Sequence, residues 1–214
     1  MPASTSLGQR SLGRLVFALD ERLRRRNGVF DYVDQPDCIL RLKIDVMQKE
    51  MVLSDGVRLR SGDRVVELHF RNEYFPAMSP EGATIAWARE AAKRMDLSLR
   101  ELSEYLDARP EVADVAAVRA VMPVRGEGQR RQIERIAHRF GFELVPEMGR
   151  RPIRRLLSGL GQNAVGLLLV FASNPTAARI DVLLRGGAPL YVSRRKLADR
   201  YREAALATHP EQSP

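Results

Sequence analysis

The sequence predicts an α+β fold: an N-terminal amphipathic helix, an antiparallel β-meander, one long helix, and then a βαβ unit with a buried apolar helix. Three observations carry this. Residues 53–72 hold two turn signals, Asp55-Gly56 and Ser61-Gly62-Asp63, between short runs that alternate apolar with polar residues, which is a hairpin pattern. Ile85, Ala88, Ala92, Met95, Leu99, Leu102 and Leu106 recur in steps of three and four, the stripe of an amphipathic helix. After Pro110, strand-like and helix-like runs alternate, which favours a sheet with parallel members.

A chain of 214 residues, 44% of them hydrophobic, is long enough to bury a proper core. The reading is one domain over residues 11–204, with a disordered stretch at 1–10 and a frayed tail at 205–214. The net charge is +8 and the pI about 10.2. Lys43, Lys49, Lys93 and Lys196 are the only lysines, so the excess is arginine, which suits planar contact with phosphate and carboxylate. Lipid headgroups, nucleic acid and nucleotide cofactors are all admissible partners; the codon bias of a GC-rich genome is the competing explanation. Cys38 is the lone cysteine, which leaves no disulfide framework and points to a reducing, cytoplasmic setting. The first residues lack a charged segment followed by an apolar one, so no signal peptide is expected.

From Ser11 to Arg26, Leu12, Leu15, Val16, Leu19 and Leu23 keep helical spacing, with arginines opposite and a stop at Asn27-Gly28. Such a helix could lie on an anionic membrane surface, but docking on its own domain with a solvated basic end is the favoured reading. Cys38 to Ile44 alternates as a strand, residues 51–53 and 57–59 form hairpin arms, and Val65 to Phe70 reads as a more central strand. Ser79-Pro80-Glu81 is a helix-start signature, giving a helix of about 28 residues and roughly 42 Å. A rival reading splits it at Asp96, because Ser98 and Glu101 make a capping box. Val115 to Met122 is a strand, Gln129 to Arg139 a helix stopped by Gly141, and Phe142 to Val145 the next strand. Pro152 to Ala172 is the most apolar helix, too short and too interrupted by Gln162 and Asn163 for a clear membrane span. Leu190 to Val192 is a short strand, and Ser193 caps a last helix through Tyr201.

Several strings match a known pattern in order and spacing. They are LRLKI at residues 40–44, LSDG at 53–56, GDRVVELHFRN at 62–72, LSEYLDARPEVADVAAV at 102–118, RFGFELV at 139–145, NP at 174–175 and LYVSRRKLADRY at 190–201. Together they resemble the YkoP-like family of bacterial proteins. Two places depart from the commoner pattern: Tyr191 stands where a Trp is usual, and VMPV at 121–124 replaces a Gly-Val-Thr run. The family has no settled activity to carry over. The resemblance implies a context, since such domains occur alone or joined to polysaccharide deacetylase domains, and so points towards the cell envelope, its glycans or its lipids.

His69 is the leading candidate for acid–base chemistry, since imidazole titrates near neutrality. Asp55 and Asp63, in the adjoining turns, would orient it or help to hold a cation; the alternative is that all three are structural, as Asp often is in turns. The string Val124 to Arg130 carries Arg125, Gly126 and Gly128 between a strand and a helix, a setting that can cradle phosphate. It is similar to the loop with which GNAT-type acyltransferases hold coenzyme A, which would make a coenzyme A thioester the cofactor, but Arg130 replaces a small residue. Arg150, Arg151, Arg154 and Arg155 open the apolar helix, against the helix dipole. With Arg194, Arg195 and Lys196 they are a candidate anion site.

Three functions follow. The first is a cytoplasmic, peripheral protein of envelope metabolism that binds an anionic lipid or glycan-lipid at the membrane face. The second is a small transferase with His69 as base and the 124–130 loop on the donor. The third, ranked last, is nucleic-acid binding by net charge, which no recognition helix or base-stacking aromatic platform supports. A closed polar pocket around His69 would favour an enzyme, and a filled interior a binding module.

Overall fold

The computed structural model describes residues 28–76, 84–123, 126–145 and 187–208. The described residues between Val29 and Val145 and from Ala188 to Thr208 belong to one compact unit, and the fold below is that of this unit. The expected helices at 11–26 and 152–172, the start signature at 79–81, and Arg125, Arg150, Arg151 and Arg154 lie outside the described residues.

The fold is α+β. Six strands form a sheet: β1 (Val29–Phe30), β2 (Leu40–Val46), β5 (Arg64–Phe70), β6 (Ala117–Pro123), β7 (Glu143–Leu144) and β8 (Gly187–Ser193), in the order β1-β2-β5-β6-β8-β7. The hairpin arms β3 (Met51–Val52) and β4 (Arg58–Leu59) pair only with each other. The expected meander is thus interrupted. β2 pairs antiparallel with β5 over its whole length, Leu40 opposite Phe70 and Val46 opposite Arg64, and the ribbon is an excursion between them. Its tip works as the sequence suggests. Leu53 O accepts from Gly56 N, Leu53 N donates to Val57 O, and Gly56 takes φ +82°, a left-handed position that glycine fills without a Cβ clash.

Three α-helices are described: α1 (Ile85–Ala108), α2 (Gly126–Arg139) and α3 (Arg194–Thr208). α1 is one unbroken helix of 24 residues, not two. It starts later than Ser79, because Thr84 is extended (φ −91°, ψ 166°) and its side chain accepts from Trp87 N, a standard N-cap. Ser98 is no cap; it is buried in mid-helix. The helix ends at Arg109, held extended before Pro110. α2 begins three residues earlier than Gln129, at Gly126, and ends where expected. Phe142 N donates to Ala137 O and Gly141 N to His138 O, with Gly141 at φ +85°, the paired bonds of a Schellman stop.

Strand period and helix period meet on one face of the sheet. Leu40, Leu42, Val66, Val118, Leu190 and Val192 pack with Leu99, Leu102 and Leu106 of α1, Ile133 of α2, and Leu197 and Tyr201 of α3. Each fully buried Leu contributes about 2 kcal/mol by area. β5 and β6 are parallel, Val66 opposite Val118, with α1 between them in sequence, so the parallel crossover uses the long helix. The run β6–α2–β7 is not a simple βαβ unit: β8 stands between β6 and β7 and pairs antiparallel with β7.

Candidate functional site

With the described helices on one face, the opposite face of the sheet is set by the odd-numbered residues of β2, β5 and β6. It has two ends. At one, Val65, Ala117 and Tyr191 are covered by Leu53 and Leu59 from the β3–β4 ribbon and its flanks, with Met47. At the other end the same alternation places charge. Lys43 stands opposite Glu67, and Glu67 opposite Arg119, so the three form one rung across neighbouring strands roughly 4.8 Å apart. One step along, Arg41 stands opposite His69.

His69 Nε2 lies 3.2 Å from Glu67 Oε1. The atom is buried and makes no hydrogen bond, so this contact is electrostatic rather than a well-aligned bond. Arg119 Nη2 donates to Asp45 Oδ2 at 2.6 Å and to Glu67 Oε2. Arg119 is only 7% exposed, and its Nε is buried without an acceptor. Burial works against ionisation of Glu67, yet contact with His69 and the charge of Arg119 hold its carboxyl down at about 2. Burial likewise disfavours the Arg119 cation, but Glu67 outweighs it and the guanidinium stays charged. Paired burial of this kind is tolerated where isolated charge is not.

The cluster continues past the end of β5. Arg41 Nε donates to Asp31 Oδ1 at 2.8 Å, and its Nη2 to Glu73. Arg71 lies over the Tyr74 ring at 4.1 Å, a cation–π geometry. Its Nε is 3.5 Å from Asp31 and is again buried without a hydrogen bond. Arg41 and Arg71 are both buried. The face thus holds three buried guanidiniums among Asp31, Asp45, Glu67 and Glu73, with His69 at its middle.

The turn aspartates expected beside His69 are elsewhere. Asp63 directly precedes β5 and accepts from Arg60 N at 2.7 Å; six residues of strand put it roughly 20 Å from His69. Asp55 accepts from Ser193 Oγ and from Val57 N, with Arg195 at 3.6 Å. Burial opposes its ionisation, but these bonds together hold its carboxyl below the ordinary range. Ser193 sits at the start of β5, not its end, because Arg194 N donates to Ala116 O and Ala116 N to Arg64 O. Glu67, Arg119 and Asp45 take the place given to the aspartates. Glu67 was within reach of a period-two reading, two residues before His69; Arg119 was not, since its place depends on the β5–β6 register.

Gly126 and Gly128 belong to the first turn of α2, so the glycines of the expected phosphate loop are helical. Arg194 turns its donors on the end of α1 and the turn that follows it: Nη2 to Leu106 O, with Asp107 at 3.6 Å, and Nη1 to Val112 O and Ala113 O. His138 is exposed on α2 beside Arg131, Glu134 and Arg135. Among the described residues no group of His, Cys, Asp and Glu is arranged to hold a metal, and no helix is long and apolar enough to cross a membrane.

No curated protein and no solved structure matches the chain. A family model described as YkoP domain matches residues 16–201.

Proposed function

The chain belongs to the YkoP domain family, and from that premise we propose that it binds an anionic lipid or glycan-lipid of the cell envelope, at the inner membrane face. The observation that carries this is the set of buried nitrogens that make no hydrogen bond at one sheet face: Nε of Arg119, Nε of Arg71 and Nε2 of His69. A buried donor without a partner costs about 1–3 kcal/mol, and such groups in a native fold call for an explanation. An oxygen-rich headgroup supplies it. Net charge of +8 favours arrival at an anionic surface. The test is co-sedimentation of the full chain with vesicles of phosphatidylcholine alone or with phosphatidylglycerol. Binding to the anionic vesicles alone supports the reading; equal, negligible binding to both ends it.

One observation favours a second reading, a small transferase. The ionised Glu67 beside His69 is the kind of contact that orients an imidazole for acid–base work. His69 would then be the base and Glu67 a positioning residue. Thermal stabilisation by acyl donors, abolished in His69→Ala, is the matching experiment.

A further inference from the structure

We propose that the charged face of the sheet recognises the hydroxyl groups of a saccharide: within the glycan-lipid reading above, on which this rests, the cluster binds the sugar and not the phosphate. Charge balance is the first argument. The three guanidiniums and Lys43 are matched by four carboxylates, so the charges of these eight groups cancel. An arriving phosphate meets as much repulsion as attraction. A hydroxyl fits both signs, since it accepts from an N–H while donating to a carboxylate oxygen.

The placement of donors is the second argument. Arg119 and His69 both contact Glu67, and Arg119 keeps its buried Nε without an acceptor. An orphan donor on Arg119 and the Glu67 carboxylate it contacts therefore stand side by side, so that a sugar hydroxyl can accept from the one while donating to the other. Val121 follows Arg119 on the same face of β6 and is 46% exposed, giving an apolar surface for the C–H face of a ring. The orphan atoms do not touch solvent, so a ligand reaches them only by displacing a side chain. His69, at the penultimate position of β5 and with its side chain 23% exposed, is the group that moves.

The imidazole resonances of His69 in the full chain, followed by NMR, test this with two probes: methyl glycosides of a hexose and an N-acetylhexosamine, and glycerol phosphate. The expected result is that a glycoside shifts His69 while glycerol phosphate does not, and that Glu67→Gln weakens the glycoside about tenfold, the loss of one hydrogen bond to a charged group. Asp45→Asn, at the more open edge of the cluster, should weaken it too, and guards against an Glu67→Gln chain that does not fold. A shift by glycerol phosphate alone overturns the inference and leaves the lipid reading standing. So does binding to anionic vesicles with neither probe moving His69. No response to either probe and no vesicle binding removes both.

Discussion

The hydroxyl of Ser98, in the middle of α1, accepts the backbone N–H of Ile39 at 2.9 Å. It donates in turn to Arg94 O at 2.7 Å. This single side chain satisfies the amide that precedes β2, where the strand meets the long helix. Ser98 and Ile39 are both fully buried, so water cannot replace the bond.

Ser98→Ala therefore leaves the Ile39 amide without an acceptor. The expected loss is about 1–3 kcal/mol of stability, read as a lower urea midpoint at unchanged slope. Ser98→Gly would add a helix-propensity penalty and is the less clean variant. An unchanged midpoint in Ser98→Ala would show that the amide finds another partner.

The apolar stripe of α1 is not uniform in energy. Leu102 is fully buried, whereas Ile85, at the same helical spacing, is 76% exposed. Leu102→Ala should cost about 2–5 kcal/mol, and Ile85→Ala no more than about 0.5 kcal/mol. Comparable losses at the two positions, measured by chemical denaturation, would contradict this packing.

Glu67 gives the fold an acid-sensitive term. Its carboxyl is held at about 2, against 4.5 when unperturbed. A depressed carboxyl stabilises the fold above its unfolded value and loses that contribution as pH falls through the folded one. Stability should therefore decline between about pH 5 and pH 2, by an amount on the order of 3 kcal/mol from this group. In Glu67→Gln that part of the decline disappears. The check is the urea midpoint of both chains across that range.

Arg119 and Glu67 should also be energetically coupled. Removing one partner of a buried ion pair typically costs about 3–5 kcal/mol when the other is left unpaired. Asp45 still holds Arg119 when Glu67 is lost, so Arg119→Met should be the more damaging single change. The double variant Glu67→Gln with Arg119→Met should lose less than the sum of the singles, by about 1 kcal/mol or more. Strict additivity would mean that the contact contributes nothing of its own.

Periodicity and punctuation made much of the fold legible. Alternation marks a strand at Cys38–Ile44, which the structure moves to Leu40–Val46, and β-branched density marks Val65–Phe70, which the structure begins at Arg64; the stop at Gly141 is legible from its glycine, and the cap at Ser193 from its hydroxyl, which accepts from Lys196 N at 2.9 Å. Thr84 was missed as the start of α1 because Ser79-Pro80 carries the stronger local signature. The candidate site was half legible. His69 was visible by residue type, but its neighbours were assigned from nearby turns, and turns close in sequence lie at the far end of a strand.

What the sequence by itself determined was local: which residues alternate, which recur every three or four, where glycine and proline end an element, and to which family the short strings belong. Those are properties of a few consecutive residues and need no partner. Only the tertiary structure decided that Glu67 has Arg119 on one side and Lys43 on the other, and that Asp55 bonds to Ser193. Strand register is set by packing over the whole sheet, and a shift of one residue would turn every charge on that face towards the core.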